Sequence, residues 1–129
     1  MRLDPSRFEN IKEFICGNNS LTPYLSGHSL VELFKLLGFE EVYSSENGLP
    51  GSYNGNLKVS RSLYVLRKLE EINGTDIMKD LIELVFSADH FLQDPSKNIE
   101  QAVKQVNMLF QRDRYQLQNI EGQFRVIEQ

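Results

Sequence analysis

"VNMLFQRDRYQLQNIEGQFRVIEQ" (residues 106–129) decides the fold, because the apolar period changes inside it. Val106 and Phe110 keep the spacing of a helix face. After the polar run Gln111 to Arg114, Tyr115 and Leu117 alternate with Gln116 and Gln118, and Phe124 and Val126 alternate with Gln123 and Arg125. That alternation belongs to strands with one face on a core, so the stretch predicts a helix followed by a β-hairpin. Two turns compete for its tip. A two-residue Glu121-Gly122 turn sets Tyr115, Leu117, Phe124 and Val126 on one face, whereas Asn119-Ile120-Glu121-Gly122 has the composition of a type I turn with a following glycine bulge. Two strands alone are marginal in water, so the hairpin must lean on helices or pair with further strand. No Gly, Pro or charged tail follows Gln129, and we therefore expect a single N-terminal domain, residues 1–129, cut from a longer chain.

Working outward, the rest of the chain reads as helical. "PSRFENIKEFI" (5–15) places Phe8, Ile11, Phe14 and Ile15 on one face behind a proline suited to a first turn, and Gly17-Asn18-Asn19 stops it. "GHSLVELFKLLGF" (27–39) carries Leu30, Leu33, Phe34 and Leu37, opened by a capping-type Ser29 beside Glu32 and closed by Gly38. Residues 58–73 align Val59, Leu63, Leu66, Leu69 and Ile72 before Gly74, and Thr75 can cap a helix from Asp76 to Phe86 with Ile77, Leu81, Ile82 and Val85 inward. Asp94-Pro95 announces the last helix, with Ile99, Val103, Val106 and Phe110 as its face. The expectation is a mostly α domain, about five helices in one core with a C-terminal hairpin, an order that can also be drawn as a winged helix. Between the helices, "YSSENGLPGSYNGN" (43–56) is dense in turn formers and is expected to be a mobile loop.

A chain of 129 residues suits one core. Its 14 basic and 18 acidic residues give a net charge of −4, which favours solubility and argues against a broad phosphate-binding surface. Cys16 is the sole cysteine, so no intrachain disulfide can form; there is no signal-peptide layout and no apolar run long enough to span a bilayer. A cytoplasmic protein without membrane contact is the expectation.

Few residues offer chemistry. His28 and His90 lack a second ligand at helical spacing, Cys16 has no paired base, and "GLPGSYNG" lacks the lysine of a phosphate loop. No catalytic residue, metal ligand or cofactor is expected. Lys58, Arg61, Arg67 and Lys68 gather on one helix but are followed by Glu70 and Glu71, and the wing tip carries Glu121, so nucleic acid is not the expected partner. The informative residues are polar ones that interrupt apolar stripes. Asn107 adjoins Val103, Val106 and Phe110; Asn73 ends the helix that Arg61 begins; Asp113 and Tyr115 follow Asn107. A buried amide needs partners, so Arg61, Asn73, Asn107, Asp113 and Tyr115 are expected to form a polar network fixing the corner between last helix and hairpin.

"LVELFKLLGFEEVY", "SRSLYVLRKLEEINGT" and "VNMLFQRDRYQL", in that order, resemble the N-terminal domain of AbiJ-type abortive-infection proteins over most of the chain. The correspondence falls on Ser60, Arg61, Asn73, Gly74 and Thr75, and on Asn107, Asp113, Tyr115 and Leu117; Phe110 stands where Leu is usual and Arg114 where Gly is usual. The resemblance implies a bacterial anti-phage protein whose N-terminal domain precedes a C-terminal effector, often an RNase-like helical domain. On this reading the domain is a non-catalytic sensor or interaction module. Its partner is the effector of the same chain or another protein, and its contact surfaces are the hairpin (Phe124, Val126) and the loop (Leu49, Tyr53). The alternative is a winged-helix-like nucleic-acid-binding domain.

Overall fold

Six helices precede a two-stranded antiparallel hairpin in the computed structural model, which describes residues 1–51 and 58–129. The helices are α1 (Phe8–Cys16), α2 (Gly27–Leu36), α3 (Arg61–Ile72), α4 (Asp76–Val85), α5 (Ala88–Phe91) and α6 (Ile99–Phe110). The strands are β1 (Tyr115–Ile120) and β2 (Gln123–Glu128). One apolar core draws on every one of these elements and on Leu3, which is 1% exposed. None of the helices is long and apolar enough to cross a membrane.

Caps set the helix limits. Ser26, not Ser29, caps α2, its side chain accepting from the Ser29 amide at 3.1 Å. Ser60 and Thr75 cap α3 and α4 in the same way. Gly17 ends α1 with φ 76°, and a Cβ there would stand 2.0 Å from the Pro23 carbonyl oxygen, so only glycine fits the close return of the chain.

Three expectations about the helices need correction. The buried face of α3 is Tyr64, Val65, Lys68, Leu69 and Ile72, while Leu63 is 40% exposed; an aliphatic count skipped the tyrosine and lysine that share the inward stripe. Asp94 does not cap a helix. Its carboxylate accepts from the Ser96 amide at 3.1 Å and its carbonyl from the Lys97 amide at 3.1 Å, which closes a turn and delays α6 until Asn98 can cap it. Between Phe86 and Asp94 the extra helix α5 forms on a Ser87 cap.

At the hairpin tip the two-residue turn prevails. Glu121 (φ 54°) and Gly122 (φ 87°) are both left-handed, the signature of a type I′ turn, whose twist matches that of paired strands. The register pairs Leu117 with Val126 and Asn119 with Phe124, so Tyr115, Leu117, Phe124 and Val126 share the face turned to the helices. Ile120 and Gln123 close the turn as a hydrogen-bonded pair, so Leu117 and Val126, three steps on, direct their main-chain groups away from the partner strand. Helical side chains meet both. Asn107 of α6 donates to the Leu117 carbonyl at 3.0 Å and accepts from its amide at 2.8 Å. Glu83 of α4 accepts from the Val126 amide at 2.9 Å. The hairpin is thus held between α6 and α4 with the middle of each outer edge covered.

Candidate functional site: polar clamps and a cleft beside the hairpin

The five residues expected in one network occupy three places. Asn107 clips β1 as described. Asn73, at the end of α3, treats Leu3 identically, accepting from its amide and donating to its carbonyl, both at 2.9 Å. Around it the Gly74 amide donates to the Met1 carbonyl at 2.9 Å, the Tyr115 hydroxyl accepts from the Arg2 amide at 3.0 Å, and Asp113 lies 3.5 Å from the Arg7 guanidinium. Asn73, Asp113 and Tyr115 therefore converge on the N-terminal segment. Arg61 works elsewhere: Nε donates to the Leu25 carbonyl and Nη2 to that of Cys16, both at 2.7 Å, while the guanidinium lies 4.2 Å from the Tyr24 ring centroid. It ties together the two ends of the α1–α2 connection. Each of these side chains is engaged with main-chain or charged partners, an arrangement that positions chain segments.

Two of the four basic residues expected together, Arg61 and Lys68, are engaged internally, while Lys58, which precedes α3, and Arg67 are exposed. Lys68 is 7% exposed, 2.7 Å from Glu41 and 4.1 Å from the Phe39 ring centroid, so its charge is consumed internally. The Tyr64 hydroxyl donates to the same carboxylate at 2.8 Å, and burial together with Glu41 holds that phenol protonated far above its ordinary range. Sequence spacing offered no hint of Glu41, which lies in the loop after α2. Burial pushes the Cys16 thiol up to about 11, which removes it as a nucleophile at neutral pH. His90 is buried with its titration pushed below the ordinary value by desolvation, and its Nδ1 lies 3.4 Å from the Gln93 side-chain nitrogen. His28 is exposed and 3.9 Å from Glu32. No group of three His, Cys, Asp or Glu arranged for a metal ion occurs among the described residues.

Surface hollows are better developed. The larger, about 850 Å³, lies between α4, α5, the start of α6 and the hairpin tip. Leu84, Ile99 and Phe124 supply apolar wall, and Asp80, Glu83, Asp89, Glu100 and Glu121 supply carboxylates against the single cation Arg125. A second hollow of about 460 Å³ runs between α2 and α4–α5, walled by Leu25, Leu33, Leu36 and Leu84. The two adjoin at α5, where Leu84, Ser87 and Asp89 line both, and together they are termed the furrow.

Of the contact residues expected from sequence, Phe124 alone lies half-exposed on this furrow. Val126 (7% exposed) faces the core with Leu117, and Leu49 (4%) packs beside Gly27, so neither offers a docking surface. The loop around Leu49 is folded in its described half: Ser44 and Gly48 exchange main-chain hydrogen bonds at 3.0 and 2.7 Å, and the Ser44 hydroxyl accepts from the Asn47 amide. Tyr53 lies outside the described residues. Comparison with known protein families, curated proteins and solved structures finds no match to the chain.

Proposed function

We propose that this domain is a non-catalytic interaction module, docking through the furrow beside its hairpin and thereby regulating or positioning an effector. The observation that carries the reading is Phe124, an aromatic ring half-exposed on the wall of the larger of the two hollows described and mounted on a hairpin braced from both sides. A rigid aromatic at the edge of a concave surface is what protein interfaces use as an anchor. The clamps on Asn73, Asn107 and Arg61 support the same conclusion, since the polar residues the sequence singled out are engaged in holding chain segments. The resemblance to AbiJ-type N-terminal domains supplies the setting: a bacterial, cytoplasmic anti-phage protein in which this module precedes a C-terminal effector. The acidic lining favours a protein partner over nucleic acid, because phosphates approach carboxylates unfavourably.

The test is to express the effector-bearing chain with Phe124→Asp and, as control, Gln118→Asp on the outer face of β1. The first variant folds and alters effector toxicity; the second leaves it unchanged. Unaltered toxicity in a folded Phe124→Asp protein, or RNA hydrolysis by the domain alone, overturns the proposal.

A further inference from the structure

The furrow's two halves differ in chemistry, and the difference specifies what docks there. The α2 side is the more apolar, with Leu36 74% exposed beside Leu84, and there His28 and Glu32 lie 3.9 Å from each other. The hairpin side is anionic. Of its five carboxylates only Glu83 has an ion-pair partner among the described residues, Arg125 at 3.2 Å; Asp80, Asp89, Glu100 and Glu121 are exposed and without one. Four unneutralised carboxylates in one concavity repel each other and hold a negative potential that walls of low dielectric concentrate. An occupant with like or no charge leaves that repulsion in place; a cationic one removes it.

We infer that the furrow binds an amphipathic, lysine- or arginine-bearing segment of the partner, its apolar face on Leu36 and Leu84 and its cations toward Asp80, Glu100 and Glu121. The inference rests on the proposed docking role and names the chemistry of the docked piece. The apolar hollow and the anionic cleft join at Leu84, Ser87 and Asp89, so one continuous segment reaches both. Apolar burial supplies affinity, and the carboxylates select the partner and speed its encounter. Salt dependence follows, because the four carboxylates are solvent-exposed and screened.

The probes are two fluorescein-labelled helical peptides of about 18 residues, or five turns, one patterned Leu/Lys and one Leu/Glu, titrated by anisotropy against the 129-residue chain. The Leu/Lys peptide binds and the Leu/Glu peptide does not. The Asp80→Lys/Glu100→Lys variant, its fold checked by circular dichroism, weakens Leu/Lys binding at least tenfold, and the neutral Asp80→Asn/Glu100→Gln variant weakens it by less. Equal binding of both peptides, undiminished binding to the reversed-charge variant, or no binding overturns the inference. So does tighter retention of a labelled RNA oligonucleotide than of the Leu/Lys peptide. A dimer in sedimentation velocity that Asp80→Lys/Glu100→Lys disperses assigns the furrow to a second copy instead, and equally overturns it. Altered effector toxicity in Phe124→Asp together with failed peptide binding leaves the docking role standing and this inference refuted.

Discussion

Asn73 and Asn107 perform the same act on two different segments: each presents one acceptor and one donor to the amide and carbonyl of a single residue, as a neighbouring strand would. The demand is specific to an amide. Asn73→Asp keeps the acceptor for the Leu3 amide but sets a carboxylate oxygen against the Leu3 carbonyl, so it should cost at least as much as the usual 1–3 kcal/mol (roughly) for stranding a buried partner. Urea denaturation midpoints check this; Asn73→Asp unfolding at the wild-type midpoint would show that the clamp carries no stability. The importance of both asparagines was legible from their place at the end of one apolar helix and inside the stripe of another. So was the main-chain company of Asn107 near the join of helix and hairpin; that Asn73 meets Leu3 was not, because a main-chain amide carries no signature in sequence and Leu3 lies 70 residues away.

Among the elements, the hairpin was legible down to its face, and its turn was settled by left-handed backbone at both central residues. Arg114 follows suit: it takes φ 65° where the resembled family has glycine, and the turn into β1 is made regardless, with the Gln129 amide donating to its carbonyl at 2.8 Å. What sequence missed was the phase of α3, where a lysine and a tyrosine face inward because Glu41 and Phe39 arrive from a distant loop to receive them. Of the two side-chain caps on the strand edges, Glu83 was equally hidden, while Asn107 was expected at the corner. They make a prediction about association: Asn107→Ala costs about 1–3 kcal/mol, and the double variant Asn107→Ala/Glu83→Ala, with both edges bare, shows concentration-dependent association by light scattering that neither single variant shows. A monodisperse double variant would mean the edges are protected by something else.

For the molecule as a whole, stability should fall on mild acidification. His90 is held neutral by desolvation, so its folded titration lies below the ordinary value of 6.5. An unfolded chain takes up a proton there as pH drops through that value while the folded chain refuses it; the contribution is complete above 6.5 and is lost on the way down to the lower folded value. Thermal midpoints measured from about pH 7 down to about 5 should therefore slope less steeply in His90→Gln than in wild type, and parallel slopes would remove His90 as the cause. The furrow belongs to this scale too, and no stretch of sequence announced it. Its walls come from α2, α4, α5, α6 and the hairpin, and its acidity became visible only once scattered carboxylates were brought to one side. The N-terminal clamp has a further consequence for how such a chain is made. Arg2 precedes Tyr115 by 113 residues, so during vectorial synthesis the Leu3 amide and carbonyl wait for Asn73 at the end of α3, and the Arg2 amide waits for the strand that follows α6. Closure of so long a loop comes late and slowly. A ribosome that stalls before Tyr115 therefore leaves a nascent chain with its first turn unlatched, open to chaperones and proteases that the finished domain excludes.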